Sequence, residues 1–202
     1  MRRLALRLGG CAMAVLLAAC GGRQAVRPVA PNADLLARQD ARERVLSERM
    51  DWRLGGRLGV SDGHDSGSGS LEWLQRGDEF RFSVHAPVTG KTWTLSGTPQ
   101  HAVLQGLREQ ALEGNPAELL ARELGWQVPL AELTRWARGM RASPQGRITF
   151  DAAGLPATID EAGWHVQYQD YDAALDPPLP GKVFASKGDY KVRLAIRDWA
   201  KP

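Results

Sequence analysis

The sequence predicts a mainly β domain: a strongly curved antiparallel sheet covered by short α-helices, with one more helix ahead of it. Three observations predict this class. Period-two alternation of apolar and polar residues recurs from Trp52 to the C-terminus. Only two short helical stretches interrupt it. Large aromatics fall repeatedly on the apolar parity of the strands, which is the pattern of a sheet with one face buried.

The first segment is a leader. Arg2, Arg3 and Arg7 form a basic start, and Leu8 to Ala19 is nearly all apolar and uncharged. That stretch is short for a membrane span and fits a signal peptide, residues 1–19. It closes on Leu17-Ala18-Ala19-Cys20, which matches the bacterial lipobox. Cys20 is therefore expected to carry a diacylglycerol thioether and further acylation, and two or more chains anchor a protein stably. Gly21 follows, where an Asp would mark inner-membrane retention in enteric bacteria, so the expected destination is the outer membrane, facing the periplasm.

Removing the leader changes the charge. The whole chain is +3, and the three leader arginines account for all of it. The mature chain is formally neutral, so composition argues against a nucleic-acid partner, which needs a clustered basic surface. Cys11 and Cys20 are the only cysteines. The mature domain has no disulfide and must hold by apolar burial, which its length allows within one domain, 34–202.

Residues 20–33 form the lipidated cysteine and a Gly-, Ala- and Pro-containing tether. An amphipathic helix is expected from about Asp34 to Arg49, capped by Asn32 or Asp34, with Leu35, Leu36, Val45 and Leu46 on its buried face. Trp52, Leu54, Leu58 and Val60 then alternate with Arg53 and Arg57. Gly63 to Ser70 reads as a Gly/Ser/Asp turn. Leu71 and Trp73 lead through a Gly77-Asp78 turn to Phe80, Phe82, Val84 and Ala86. Pro87 to Gly90 is a short connection, and Trp93, Leu95 and Val103 to Leu107 close this run. Asn115-Pro116 starts a helix with Leu119, Leu120 and Leu124, ended by Gly125. Pro129 starts a second, with Leu130, Leu133, Trp136 and Ala137, ended by Gly139. Strand periodicity resumes at Ile148 and Phe150, then Ala157 and Ile159, then Trp164, Val166 and Tyr168, and finally Tyr190 to Ile196, before Trp199. Such a sheet either packs solidly on its helices or curls round a partly open cavity.

No catalytic constellation stands out. His64, His85, His101 and His165 are scattered through turns and strands without metal-ligand spacing. There is no nucleophile elbow, phosphate loop or dinucleotide fingerprint. Asp65 to Ser70 lacks the Lys and following helix of a phosphate cradle. Asp160-Glu161 and Asp170-Asp172 are read as solvated turn carboxylates. No cofactor or metal is expected, and no enzyme activity. Seven tryptophans, Trp52, Trp73, Trp93, Trp126, Trp136, Trp164 and Trp199, all lie in the mature chain. They are either core packing with indole N–H groups at polar edges or a lining for acyl chains. Val88, at the tip of Pro87-Val88-Thr89-Gly90, either folds back on the sheet or stands out as an apolar tip that enters a bilayer.

From Trp52 to Trp199 the chain resembles LolB, the outer-membrane lipoprotein receptor family of Gram-negative bacteria. The resemblance rests on Gly56-Arg57, Trp73-Leu74-Gln75 and Pro87 with its apolar successor. It continues through Leu119-Leu120, Leu124-Gly125, Val128-Pro129, Leu133, Trp136 and Gly139. It ends on Gly163-Trp164-x-Val166-x-Tyr168 with Tyr171, Leu179-Pro180, and Val192-x-Leu194-x-Ile196 before Trp199. It implies an unclosed antiparallel β-barrel, or half-barrel, with a hydrophobic cavity covered by helices. It implies a protein that takes acylated lipoproteins from the periplasmic carrier LolA and inserts them into outer-membrane phospholipid without nucleotide; nothing in the sequence suggests more than a monomer. The cavity residues expected on that basis are Trp52, Phe80, Phe82, Trp93, Leu95, Phe150, Trp164 and Tyr168. The insertion loop is Pro87, Val88, Thr89 and Gly90, where Val88 replaces the family's usual, larger Leu. Two other classes share some of these features: a non-catalytic envelope sensor or assembly lipoprotein on a similar fold, and a periplasmic lipid hydrolase, for which no nucleophile–base pair is visible.

Overall fold

The computed structural model describes residues 28–87 and 90–200. Residues 1–27, which hold the expected leader and Cys20, and the loop residues Val88 and Thr89 lie outside the described residues. The described chain runs α1 (Ala33–Glu48), β1 (Trp52–Ser61), β2 (Ser66–Arg76), β3 (Glu79–Ala86), β4 (Lys91–Gly97), β5 (Ala102–Gln105) and β6 (Leu112–Gly114). Then follow α2 (Pro116–Leu124), α3 (Leu130–Trp136), β7 (Arg147–Phe150), β8 (Pro156–Glu161), β9 (Trp164–Gln169), β10 (Lys182–Lys187) and β11 (Tyr190–Ala200).

All the strands join one 11-stranded sheet in the order β6-β5-β4-β3-β2-β1-β11-β10-β9-β8-β7, each pair antiparallel. The first and last strands meet in the middle, so the two free edges are β6 and β7. These are consecutive strands in the chain, yet they do not pair. The connection between them carries α2 and α3, and this helical insert is what leaves the barrel unclosed.

The β1–β11 seam explains the double glycine Gly55-Gly56. Register shifts by one residue between Gly55 and Gly56. A Cβ on Gly56 would lie 2.3 Å from the Ala195 carbonyl oxygen, so only glycine permits this close crossing.

Inward residues of every long strand join a single apolar core with Leu35 of α1, Leu119 and Leu120 of α2, and Leu130, Leu133 and Trp136 of α3. Each buried Leu contributes about 1.5–3 kcal/mol. The helices start and stop where local chemistry directs. The Asn32 side chain accepts from Leu35 N–H at 2.9 Å, and Asn115 accepts from the N–H groups of Ala117 and Glu118. Gly125 ends α2 at φ +68°, a C-terminal conformation glycine adopts without a Cβ penalty.

Several sequence expectations need correction. Ser66 to Ser70 is not turn but the start of β2, paired residue by residue with Ser61 to Arg57. Cross-strand hydrogen bonds override the low strand propensity of its Gly and Ser residues. β6 and β10 were not foreseen, and β5 stops at Gln105, short of Leu107. Glu161 is buried, not solvated. The inner face of α1 carries Gln39 and Arg42 between Leu35 and Leu46, while Val45 is only half-buried. Within the tether, Val29 exchanges both backbone hydrogen bonds with Phe150, at 2.7 and 3.0 Å, and so caps the free edge of β7.

Candidate functional site

Period-two geometry places Trp52 at the start of β1, Trp73 on β2, Phe80 and Phe82 on β3, and Trp93 and Leu95 on β4 on one concave face. Cross-strand register then brings Trp73 opposite Phe82, and Phe82 opposite Leu95. The rings form a continuous row. Trp199 meets Trp52 at 5.7 Å between centroids, Trp52 meets Trp73 at 5.2 Å, and Trp73 meets Phe82 at 5.1 Å. Phe82 stacks on Trp93 at 5.8 Å, and Trp93 meets Trp126 edge-on at 5.3 Å. These are favourable tilted and edge geometries. Trp73 is fully buried within the row, and its indole N–H has no hydrogen-bond partner among the described residues. The middle of the row therefore keeps one unsatisfied donor in apolar surroundings.

The row opens at both ends. At the β1 start, two adjoining clefts of about 460 and 840 Å³ share Met50, Trp52 and Arg138. Phe80, Pro116 and Leu130 line the first, and Leu46, Leu179 and Trp199 line the second. Met50 is 45% exposed, an apolar side chain left at the rim. The Arg138 guanidinium lies 5.8 Å from the Trp52 ring and donates to the carbonyls of Leu46 and Arg49. Burial, and then neighbouring Arg42, draw its pKa down to about 10, so it remains a cation at neutral pH. At the opposite end of the same strands, a third cleft of about 470 Å³ lies between Val60, Trp93 and Trp126.

The β7–β10 side has a different interior. Trp136 packs on Trp164 at 5.6 Å and Tyr168 on Tyr171 at 6.3 Å, and α1 is held over them by polar groups. Arg42 donates to the carbonyls of Gly139 at 2.8 Å, Arg138 at 2.8 Å and Pro178 at 2.7 Å. Burial lowers its pKa, against the nearby tyrosines and Glu43. Burial likewise raises Tyr168 and Tyr171, which stay protonated. Glu43 pairs with Arg141 at 2.9 Å. The buried Glu161 carboxylate accepts from the Trp136 indole and from the backbone N–H groups of Ala142 at 2.7 Å and Ser143 at 2.9 Å. It fixes the end of α3 and the loop after it.

All eight expected cavity residues are buried in the one core, but they divide. Trp52 and Phe80 line the first mouth, and Trp93 lines the far one. Phe82 and Leu95 are buried in the row between them and line neither cleft. Phe150, Trp164 and Tyr168 belong to the β7–β9 side, where Trp164 lines a cleft of about 430 Å³ whose other walls are mostly polar, among them Arg147, Asp160 and His165. Of the expected loop, Pro87 and Gly90 are described. Gly90 N–H donates to Ala86 O at 2.9 Å and closes the β3–β4 hairpin. Val88 and Thr89 lie outside the described residues, as does Cys20. Sequence reading missed Met50, Leu130, Arg138 and Gly67. For Arg42 a signal existed: Leu35, Gln39, Arg42 and Leu46 recur at helical spacing, which places two polar residues on the buried stripe.

Chemically this arrangement can hold hydrocarbon. Among the described residues no cluster of His, Cys, Asp or Glu could hold a metal ion. His165 Nδ1 lies 2.6 Å from Asp160 Oδ1, and its other ring nitrogen meets the Gln167 amide, not a hydroxyl or thiol.

Comparison with known proteins is consistent with this architecture. The family model described as outer membrane lipoprotein LolB matches residues 50–199. An outer-membrane lipoprotein LolB of Alkalilimnicola ehrlichii is 39% identical over 99% of this chain and 98% of its own length. That of Xylella fastidiosa (strain 9a5c) is 36% identical over 89% and 84%. A LolA superfamily protein from Nitrosomonas europaea superposes with a TM-score of 0.53 at 10% identity, covering 81% of this chain and 93% of that one. At that identity the last likeness speaks for the fold alone.

Proposed function

The chain belongs to the LolB family of outer-membrane lipoproteins, so it is an outer-membrane receptor for lipoproteins, and we propose that it receives their acyl chains in the concave hollow beside Trp52. The observation that carries this reading is the aromatic row from Trp199 to Trp126, which opens beside Trp52 into clefts large enough for a lipid-sized ligand.

Each methylene left in water costs about 0.8 kcal/mol. A chain that passes directly from one apolar hollow to another avoids that cost, and no nucleotide is needed if the second hollow holds it better. The donor in this reading is the periplasmic carrier LolA, the acceptor is outer-membrane phospholipid, and no bond is made or broken. The protein is then a non-enzyme without a cofactor, acting as a monomer. Trp52, Phe80, Phe82, Trp93 and Leu95 contact the chains. Phe150, Trp164 and Tyr168 contribute further apolar wall when the interior adapts. Met50 and Leu130 flank the entrance.

Cys20 carries the anchor in this account. Val29, where the described chain first joins the sheet, lies nine positions after it. An extended chain of that length spans about 30 Å, roughly the length of the strands themselves, so the β3–β4 hairpin with Pro87, Val88, Thr89 and Gly90 stays within reach of the bilayer.

The test uses the lipid-anchored protein in phospholipid vesicles and LolA loaded with a labelled lipoprotein. The label should move to the vesicles without ATP, and faster than to vesicles lacking the protein. Label retained on the carrier would contradict the proposal, and released fatty acid would point to a hydrolase.

A further inference from the structure

We propose that the cleft between Val60, Trp93 and Trp126 is a second acyl-chain site, the mouth through which a hydrocarbon chain leaves the hollow. The inference rests on the receptor reading above and adds a direction to it: entry beside Trp52, exit beside Trp126.

The two mouths lie at opposite ends of the same strands. β1 begins with Trp52 in the entry clefts and reaches Val60 in the far cleft eight residues later, about 26 Å along a strand. β3 runs the same way, from Phe80 in the entry to Val84 and Ala86 at the far end. The aromatic row is packed ring on ring between them, so the clefts are separate in this structure and a chain that crosses from one to the other displaces rings along an apolar route.

The inward positions of β2 show how the far mouth is kept open. They read Gly67, Gly69, Leu71, Trp73 from the far end inward. Gly69 is required by the backbone, since a Cβ there would lie 2.5 Å from His85 O. Gly67 is under no such constraint. Its φ is ordinary, and a Cβ would meet only Trp126 Cζ2, at 3.7 Å. A larger side chain would be tolerated by the sheet but would fill the cleft, so the glycine's effect is to leave room in front of the indole.

The cleft's volume, about 470 Å³, falls in the range of small-ligand sites. Val60, Val84, Trp93, Leu107 and Leu124 supply apolar lining, while Asp62, Asp65, Glu123 and Lys91 add charged groups. The apolar groups suit a hydrocarbon tail, and the three carboxylates disfavour an anionic headgroup. Ala86 and Lys91, the two feet of the β3–β4 hairpin, both line it, so a chain emerging here leaves beside that hairpin.

The experiment uses a diacylglyceryl-cysteinyl peptide with a diazirine at the ω end of one acyl chain. The anchored full-length protein in phospholipid vesicles is loaded, irradiated and mapped by mass spectrometry, with delivery measured in parallel. We expect adducts both near Trp52 and Leu130 and near Trp93, Leu124 and Trp126. Gly67→Leu should remove the second set, leave the first, and slow delivery. Adducts confined to the Trp52 end while delivery proceeds would overturn the exit site and leave the receptor role standing. Unchanged delivery by a folded Gly67→Leu protein would overturn it too. Loss of adducts at both ends together with loss of delivery in the wild type would overturn the receptor reading itself.

Discussion

The two halves of the sheet use their interiors differently. From β1 to β4 the concave face is a row of rings that ends in clefts at both strand termini. From β7 to β10 the face is sealed by α1 and by the α3 loop, through Arg42, Glu43, Arg141 and Glu161. Directional hydrogen bonds fix a single geometry, whereas each ring-on-ring contact contributes about 0.5–1.5 kcal/mol and is favourable in several orientations. The difference teaches that one half is a frame and the other is the part able to yield to a ligand. It also explains why α1, with Leu35 and Leu46 as its only buried apolar residues, is nonetheless firmly placed.

The largest expected effect breaks the frame. Arg42→Met removes the donors to three backbone carbonyls and should cost about 3 kcal/mol of stability, read as a lower urea midpoint at unchanged slope. A wild-type midpoint would mean that α1 is held some other way. Glu161→Gln comes next. It places an amide against the Ala142 and Ser143 N–H groups and should cost about 2 kcal/mol, without reducing acyl-chain affinity in the protein that remains folded.

The other half should respond in the opposite sense. Met50→Trp fills the shared rim of the entry clefts. Met50 is exposed, so stability should change by less than about 0.5 kcal/mol, while the rate of acceptance from loaded carrier falls about tenfold, equivalent to about 1.4 kcal/mol of barrier. Loss of stability with normal acceptance would erase the distinction between the halves.

The smallest effect lies at the α2 end. Arg122, and then Arg108, hold the Glu123 carboxyl below its ordinary range. A folded-state pKa below the unfolded one adds stability that is present at neutral pH and is lost as pH falls through the acid range. Glu123→Gln should remove that part of the acid sensitivity, seen as a slightly flatter stability profile below about pH 5.

Much of this was legible in the sequence. Period two found the strands that carry large residues, and Asn115-Pro116 and Gly125 bounded α2. What escaped was decided by partners distant in the chain. Ser66 to Ser70 looks like a loop until β1 pairs with it, and β10 has only Val183 and Ala185 facing the core. Glu161 resembles a solvated turn acid because nothing local reveals that Trp136, Ala142 and Ser143 converge on it. The concave aromatics could be grouped by parity, but their division between an open row and a sealed half depends on where the helices lie.

The central claim is that acyl chains lie against the indoles of the β1–β4 row. A lipoprotein whose acyl chains carry bromine atoms, which quench tryptophan emission only near contact, tests it most directly when delivered from LolA to the anchored protein. The account predicts saturable quenching that is reduced when Trp52 and Trp93 are replaced by Phe. Complete delivery with tryptophan emission undiminished would contradict it.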